Sequence, residues 1–507
     1  MSAFFSYLRE TFETFWVNFV RWLEAVFVEP WRLVFSDFRD YGSILDRYIA
    51  QFGAWGWIFF ILFMLLMLAL LVGIGYLLFL IIRGLVRLGR KNYEKTKLVA
   101  EVQRLNKELF FAIQEKNEVL KLKAESLGLE DPTLADNSKK AALVAETFPK
   151  LAAVDLKYKD KDTSVTLPEI DQNISLEQLA VRYRYFAASQ LGLFYDIDMV
   201  RTLFAALGTV KIIILEGISG TGKTSLPYSL GKFFLNDVAI CSVQPSWRDR
   251  TELIGYYNEF TKKFNESEFL RAIYEASYRK DINIIILDEM NLARIEYYFA
   301  EFLSIMEMPN VDEWIVEVTK TSDDYNPSQL VGGKLLINQN IWFFGTANND
   351  DSTFTITDKV YDRAISISLN DRGAIFDAEF TEPLRVPYTY LKRLFNEAVT
   401  NFPLSKQSLA KFNKLDEYVV AKFRIGFGNR IMRQIKIFVP IYVASGGTEV
   451  EALDFMFASK ILKKFKALNL AFMHDELKAL ITEIEKTFGK NNFKQSIRQI
   501  EMYINMS

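Results

Sequence analysis

Residues Gly217 to Thr224 read GISGTGKT, a complete G-x-x-x-x-G-K-[ST] turn. Its glycines let consecutive backbone N–H groups face a β-phosphate, Lys223 reaches the β- and γ-phosphates, and the Thr224 hydroxyl suits Mg²⁺. The helix that follows adds the positive end of its dipole. The expected nucleotide contacts are Gly217, Ser219, Gly220, Thr221, Gly222, Lys223, Thr224 and Ser225. About seventy residues later INIIILDEMN ends a buried-strand pattern in Asp288 and Glu289. The first is placed to hold Mg²⁺ through water and the second to polarise an attacking water. A third apolar run, NIWFFGTANND, ends in Asn348, whose amide can orient that water or sense the γ-phosphate; by itself an Asn there is a turn former. Arg363 stands before a fourth alternating run in KVYDRAISISL, where it can reach a neighbouring subunit's nucleotide as an arginine finger.

These groups need a sheet to carry them. KIIIL before the turn and Ile284 to Leu287 before the carboxylates read as continuous buried strands, the pattern of a parallel sheet covered on both faces. Pro227 falls in the first turn of the helix after the glycines, where its missing N–H does little harm. Trp314 to Asn338 looks like a hairpin with a long loop, either a structural edge or a substrate-facing insertion. Ser175 with Gln178 three residues on forms a capping-box pattern.

A length of 507 residues suggests two or three domains. A net charge of -2 gives no general attraction to nucleic acid, leaving only a local patch open. With one cysteine, Cys241, and one histidine, His474, neither an internal disulfide nor a zinc site of the usual ligands can form. Cys241 reads as a small buried residue at a strand end, and His474 as a residue near a helix start.

The aromatic excess, with 43 Phe and 23 Tyr in the chain, gathers towards the N-terminus. Phe52 to Ile82 contains no charged residue over 31 positions, enough for a transmembrane helix, with Trp55 and Trp57 as interface anchors. Arg83, Arg87, Arg90, Lys91, Lys95 and Lys97 follow it, so the C-terminal side is expected in the cytoplasm of a single-pass protein at the cell membrane. Upstream, Phe5, Leu8, Phe12, Phe15, Phe19, Trp22, Leu23 and Val26 form an apolar stripe suited to a membrane interface or to an extracytoplasmic helical bundle. Downstream, Leu98, Val102, Leu105, Leu109, Ala112 and Val119 suggest a stalk helix or short coiled coil. Prolines and mixed charges make residues from about 128 to 173 read as a linker.

Taken together the motifs resemble those of AAA+ ATPases, and more narrowly the McrB-type branch, whose namesake is the GTP-driven motor of a modified-cytosine restriction system. The branch resemblance rests on SVQPSWRDRTELIGYYNEF (Ser242 to Phe260), LDEMNLARIEYYFAEFLSIME (Leu287 to Glu307) and GTANNDDSTFTITDKVYDRA (Gly345 to Ala364). It covers roughly residues 200 to 505, and the first 170 residues have no counterpart in the restriction motor. The resemblance implies a P-loop αβα sandwich with a helical lid, here preceded by N-terminal transmembrane and stalk helices. It also implies a homo-oligomeric ring, hexameric in the family, with the active site between subunits. Carried over, Lys223 and Thr224 are the phosphate pair, Asp288 and Glu289 the metal and water carboxylates, Asn348 the sensor, Arg363 the finger and Arg430 the lid arginine. Arg294 is an alternative finger, and Arg424 or Arg433 an alternative lid residue. Asp350 and Asp351 both remain open for the acid of the branch's Asn-x-x-Asp signature.

The expected organisation is 1–50 amphipathic aromatic helices, 51–88 membrane helix, 89–173 stalk and linker, 174–375 nucleotide domain, and 376–507 lid and C-terminal helices. The expected activity is hydrolysis of ATP, with GTP as the alternative, to remodel or push on a protein partner at the cytoplasmic membrane face. A restriction or defence motor on nucleic acid with a separate nuclease, and an oligomeric scaffold locked by nucleotide, are the competing readings.

Overall fold

The computed structural model describes residues 65, 143–165, 167, 173–320, 326–348, 353–370 and 373–506. The N-terminal aromatic stripe, the stalk, Asp350 and Asp351, and all of the expected membrane span except Leu65 lie outside the described residues. Among the described residues no helix is long and apolar enough to cross a membrane.

The chain enters through α1 (Pro149–Tyr158), α2 (Leu176–Leu191) and α3 (Ile197–Thr209), then β1 (Ile212–Gly217) and α4 (Ser225–Phe233). The Ser175–Gln178 box caps α2 in both directions. β2 (Ala239–Ser242) leads to a short α5 (Arg250–Ile254) and a hairpin, β3 (Gly255–Asn258) with β4 (Lys263–Glu266). Next come α6 (Glu268–Ala276), β5 (Asn283–Asp288), and the short α7 (Ile295–Tyr298) and α8 (Ala300–Ile305). A second hairpin pairs β6 (Ile315–Glu317) with β7 (Lys334–Leu336), and β8 (Ile341–Asn348), α9 (Asp358–Tyr361) and β9 (Ile365–Ser368) complete this part. The helices α10 (Tyr388–Asn401), α11 (Lys406–Phe423), α12 (Asn429–Ala444), α13 (Glu449–Lys460), α14 (His474–Phe488) and α15 (Lys494–Met506) follow.

The architecture is mixed α/β around one five-stranded sheet in the order β2-β5-β8-β1-β9, with every pairing parallel. Alternation along each strand explains why the sequence runs are apolar throughout. Ile213, Leu215, Ile284, Ile286, Trp342 and Phe344 enter one core, shared with α2, α3, α4 and the C-terminal helices. Ile212, Ile214, Ile285, Leu287, Ile341 and Phe343 enter the other, shared with α1, α6, α7 and α8. With neither face left to water, each strand must be apolar at both parities. Cys241 is buried in β2, and burial pushes its thiol up to about 12, so it is an inert core group.

The stretch 128–173, expected as a linker, contains α1. Phe148, Leu151 and Val154 are buried in the second core, and the Phe148 ring stacks on Phe264 of β4 at 5.0 Å. Pro149 opens this helix rather than breaking it, because the first turn needs no N–H from it. The prolines and mixed charges that suggest a linker flank it, in LEDPTLADNSKK before and KYKDKDTSVTLPEIDQN from its last turn onward.

Gly345 of β8 shows how tightly the sheet is packed beside the carboxylates. A methyl group there would lie 1.8 Å from Sδ of the buried Met290. Gly345→Ala should therefore lower the thermal unfolding midpoint, by the equivalent of about 1–3 kcal/mol for an overpacked site. A midpoint equal to that of the wild type would show that Met290 can move aside freely.

Candidate active site at the phosphate turn

Parallel register brings three strand ends to one edge. Gly217 of β1 lies beside Asn348 of β8, and Leu287 of β5 beside Gly345 of β8. In a parallel sheet with helices on both faces, ligands bind outside these carboxyl ends.

The turn after β1 takes its shape from glycines with positive φ: Gly217 at 154°, Gly220 at 80° and Gly222 at 86°. At Gly217 the constraint is also steric, since a methyl group would sit 2.4 Å from the Leu369 carbonyl oxygen. Thr221 Oγ1 donates to the Ile218 carbonyl at 3.0 Å and closes the loop. Ser219 and Gly220 are exposed, whereas Lys223 is buried, its Nζ donating to the carbonyls of Gly217 (3.0 Å) and Ile218 (2.7 Å). The ammonium thus lies under the turn whose N–H groups would hold phosphate. Thr224 precedes α4, Ser225 is its first residue and Pro227 lies within its first turn.

The carboxylates are joined to this turn directly. Thr224 Oγ1 donates to Asp288 Oδ1 at 3.0 Å, and Thr346 Oγ1 of β8 donates to the same oxygen at 2.8 Å. Thr346 Oγ1 also accepts the Glu289 N–H at 2.8 Å. Glu289 has φ 53° and ψ 46°, the left-handed region that costs a residue with a Cβ about 1 kcal/mol or more. That turn leaves its side chain exposed beside the buried strand end. Asn291 fixes Asn348 from both sides: its Nδ2 donates to the Asn348 carbonyl at 2.8 Å, and its Oδ1 accepts the Asn348 N–H at 3.3 Å.

The donor set suits Mg²⁺ carried with a triphosphate. A hydroxyl and a carboxylate oxygen 3.0 Å apart are hard ligands, and this ion keeps several waters and phosphate oxygens around it. Among the described residues no cluster of three or more His, Cys, Asp or Glu side chains forms an all-protein metal cage.

Two of the candidate arginines pair with a third carboxylate. Arg363 Nε pairs with Glu307 Oε2 at 2.9 Å, and Arg430, in the first turn of α12, pairs with Glu307 Oε1 at 2.7 Å. The expected finger and the expected lid residue thus meet on one carboxylate of the same chain. Arg294 and Arg433 are exposed, and Arg424 ends α11 in a left-handed conformation.

Several contributors carry no motif. Thr346 and Asn291 are buried polar residues, and their only sequence signal is their place beside the candidate acids and amide in LDEMN and GTANN. A basic cluster, Lys460, Lys463 and Lys464, ties the C-terminal helices to the site. Partly buried Lys463 Nζ contacts Glu216, the residue before Gly217, at 2.6 Å and also Ser366 Oγ. Burial pushes the Glu216 carboxyl up, but the Lys463 charge and the bonds from Lys463, Tyr361 and Ser366 outweigh it and hold it below its ordinary value. Lys460 Nζ donates to the carbonyls of Tyr361 (2.8 Å) and Ala364 (2.5 Å), on either side of Arg363. Lys464 pairs with Asp362 at 2.8 Å. Burial drives Lys460 down to about 7.

No protein-family model matches the chain, and no curated protein does. Among solved structures, a candidate ATPase from Cytophaga hutchinsonii is similar at 14% identity and a TM-score of 0.41, covering 70% of this chain and 98% of that one. A full-length MCM homolog from Methanopyrus kandleri is similar at 11% identity and a TM-score of 0.34, covering 59% of this chain and 64% of that one. Both scores are below the level at which a common fold follows, so the chemistry of the site rests on its own residues.

Thr346 holds the Asp288 carboxylate and the Glu289 N–H, so if the site hydrolyses a nucleoside triphosphate, Thr346→Val should slow phosphate release by about 10- to 100-fold, the worth of a charge-assisted hydrogen bond. Affinity for a fluorescent ATP analogue should change little. Equal losses in turnover and affinity would reduce Thr346 to a packing role.

Proposed function

We propose that the chain is a P-loop nucleoside triphosphatase of the AAA+ type, similar to the McrB branch, anchored in the cell membrane with its nucleotide domain in the cytoplasm. It uses ATP with Mg²⁺ to remodel, or transmit force to, a protein partner, and works as a homo-oligomeric ring, hexameric by the family resemblance. The observation that carries this reading is the Thr224–Asp288 hydrogen bond. It joins the end of the phosphate turn to the end of β5, with Glu289 exposed beside it. A binding turn alone would need no such carboxylate pair.

In this reading the turn's N–H groups and Lys223 hold the β- and γ-phosphates, while Thr224 and Asp288 hold the cation and its waters. Mg²⁺, when bound, neutralises charge that develops on the phosphate oxygens. Glu289 accepts a proton from the attacking water, and Asn348, placed beside Gly217 by strand register, orients that water. Arg363 completes the site of an adjacent copy, and its exchange between Glu307 and a neighbour's phosphate ties turnover to assembly. The neutral overall charge favours a protein partner over nucleic acid. The base is assigned as ATP because that is the commoner substrate of the wider family; GTP is the alternative.

Two substitutions test the reading. Lys223→Ala should abolish nucleotide binding, and Glu289→Gln should bind ATP and assemble while hydrolysis falls at least about a hundredfold. Phosphate release, nucleotide titration and light scattering read these outcomes. A wild-type chain that binds ATP without hydrolysing it would make the protein a nucleotide-locked scaffold. Hydrolysis stimulated by DNA would make it a nucleic-acid motor.

A further inference from the structure

Helix α1 lacks a local cap. Phe148 at its N-cap position makes no side-chain cap bond, and its first turn holds no acidic residue. The first N–H groups of a helix must still find acceptors, and a negative charge nearby stabilises the helix dipole. Glu266, the last residue of β4, supplies both. Its Oε2 accepts the Lys150 N–H at 2.6 Å, its Oε1 accepts the Leu151 N–H at 2.9 Å, and the residue is only 9% exposed. A carboxylate 115 residues away in sequence thus caps this helix.

The middle of α1 is tied to the other hairpin. Asp155 Oδ1 accepts the hydroxyls of Tyr274 (2.5 Å) and Tyr278 (2.6 Å). Its Oδ2 accepts both N–H and Oγ–H of Ser328, in the connection between β6 and β7, each at 3.0 Å. The Tyr274 hydroxyl also accepts the Gln329 N–H at 3.0 Å. Burial, then the Asp155 carboxylate, raises the Tyr274 phenol, so it stays a donor across the physiological range. At the C-terminal end Lys157 and Tyr158 both bond Glu275 of α6, at 2.5 and 2.8 Å.

Ten residues are too few for a helix to persist in water alone. α1 therefore depends on its tertiary contacts: its apolar face in the second core, Tyr274, Tyr278 and Glu275 on the α6 side, and Glu266 and Ser328, one from each hairpin. We propose that α1 is a coupling helix, capped by the β3–β4 hairpin and latched by the β6–β7 connection, so that a shift of either hairpin changes the stability of the helix into which the chain arrives from residues 1–142. This deepens the proposed function and rests on it for the source of movement: nucleotide state displaces the hairpins, and α1 passes the displacement towards the N-terminal segment. By linkage, force on that segment biases the hairpins in return.

Hydrogen exchange on the full-length chain tests this in two arms. Without nucleotide, Glu266→Gln sets an amide donor against a helix N–H and should speed exchange across the α1 amides by about tenfold or more, with the unfolding midpoint nearly unchanged. Asp155→Asn, which breaks the latch and leaves the cap, should act likewise, giving a second variant should the first fold poorly. In the second arm, ATP added to the Glu289→Gln chain should change exchange in 255–266 and 149–158 together. With Glu266→Gln and Asp155→Asn added, the change should stay in the hairpin. An α1 whose exchange is unmoved by either substitution, or by ATP, overturns the coupling. A chain that binds no ATP refutes the proposed function instead, and the nucleotide-free arm still decides the coupling.

Discussion

The parallel pairing of β8 with both β1 and β5 is the constraint on which the site depends. It fixes Gly217 beside Asn348 and brings Asp288 within hydrogen-bond reach of Thr224 and Thr346. A slip of one residue in either pairing would exchange the two faces of a strand and carry Asp288 away from the turn. Two cores prevent the slip, because Ile212 and Ile214 enter one while Ile213 and Leu215 enter the other. Apolar packing therefore sets the chemistry's geometry, although no apolar side chain takes part in it.

Around that edge, long polar side chains join parts of the chain far apart in sequence. Lys463 reaches Glu216 under the turn, Lys460 holds the carbonyls around Arg363, and Glu307 gathers Arg363 and Arg430. Removing one partner from the Glu216–Lys463 pair is costly because the other charge is left in a poor solvent. The C-terminal helices are consequently bound to the phosphate turn and to the arginine turn through the same short stretch of lysines, and any rotation of those helices acts on both at once.

The phosphate turn, the strands before it and before the carboxylates, the capping box at Ser175 and the hairpin near Trp314 were legible because each is a local pattern with a local cause. Glycine spacing makes a turn, and apolar runs make buried strands. Thr346, Asn291 and Glu307 were not legible, since their roles arise from neighbours more than fifty residues away, as with the Thr346–Asp288 contact across 58 positions. Helix α1 was misread for a related reason. Its apolar face is short, its cap comes from Glu266, and nothing near Pro149 in sequence announces either. The arginines were legible as candidates, but their common partner Glu307 depends on how the C-terminal helices seat on the sheet.

The left-handed backbone at Glu289 sets stability and chemistry against each other at one position. Glycine would relax that torsion and firm the fold while removing the carboxylate. A change that made this turn more resistant to heat would thus erase the acid on which the proposed hydrolysis rests.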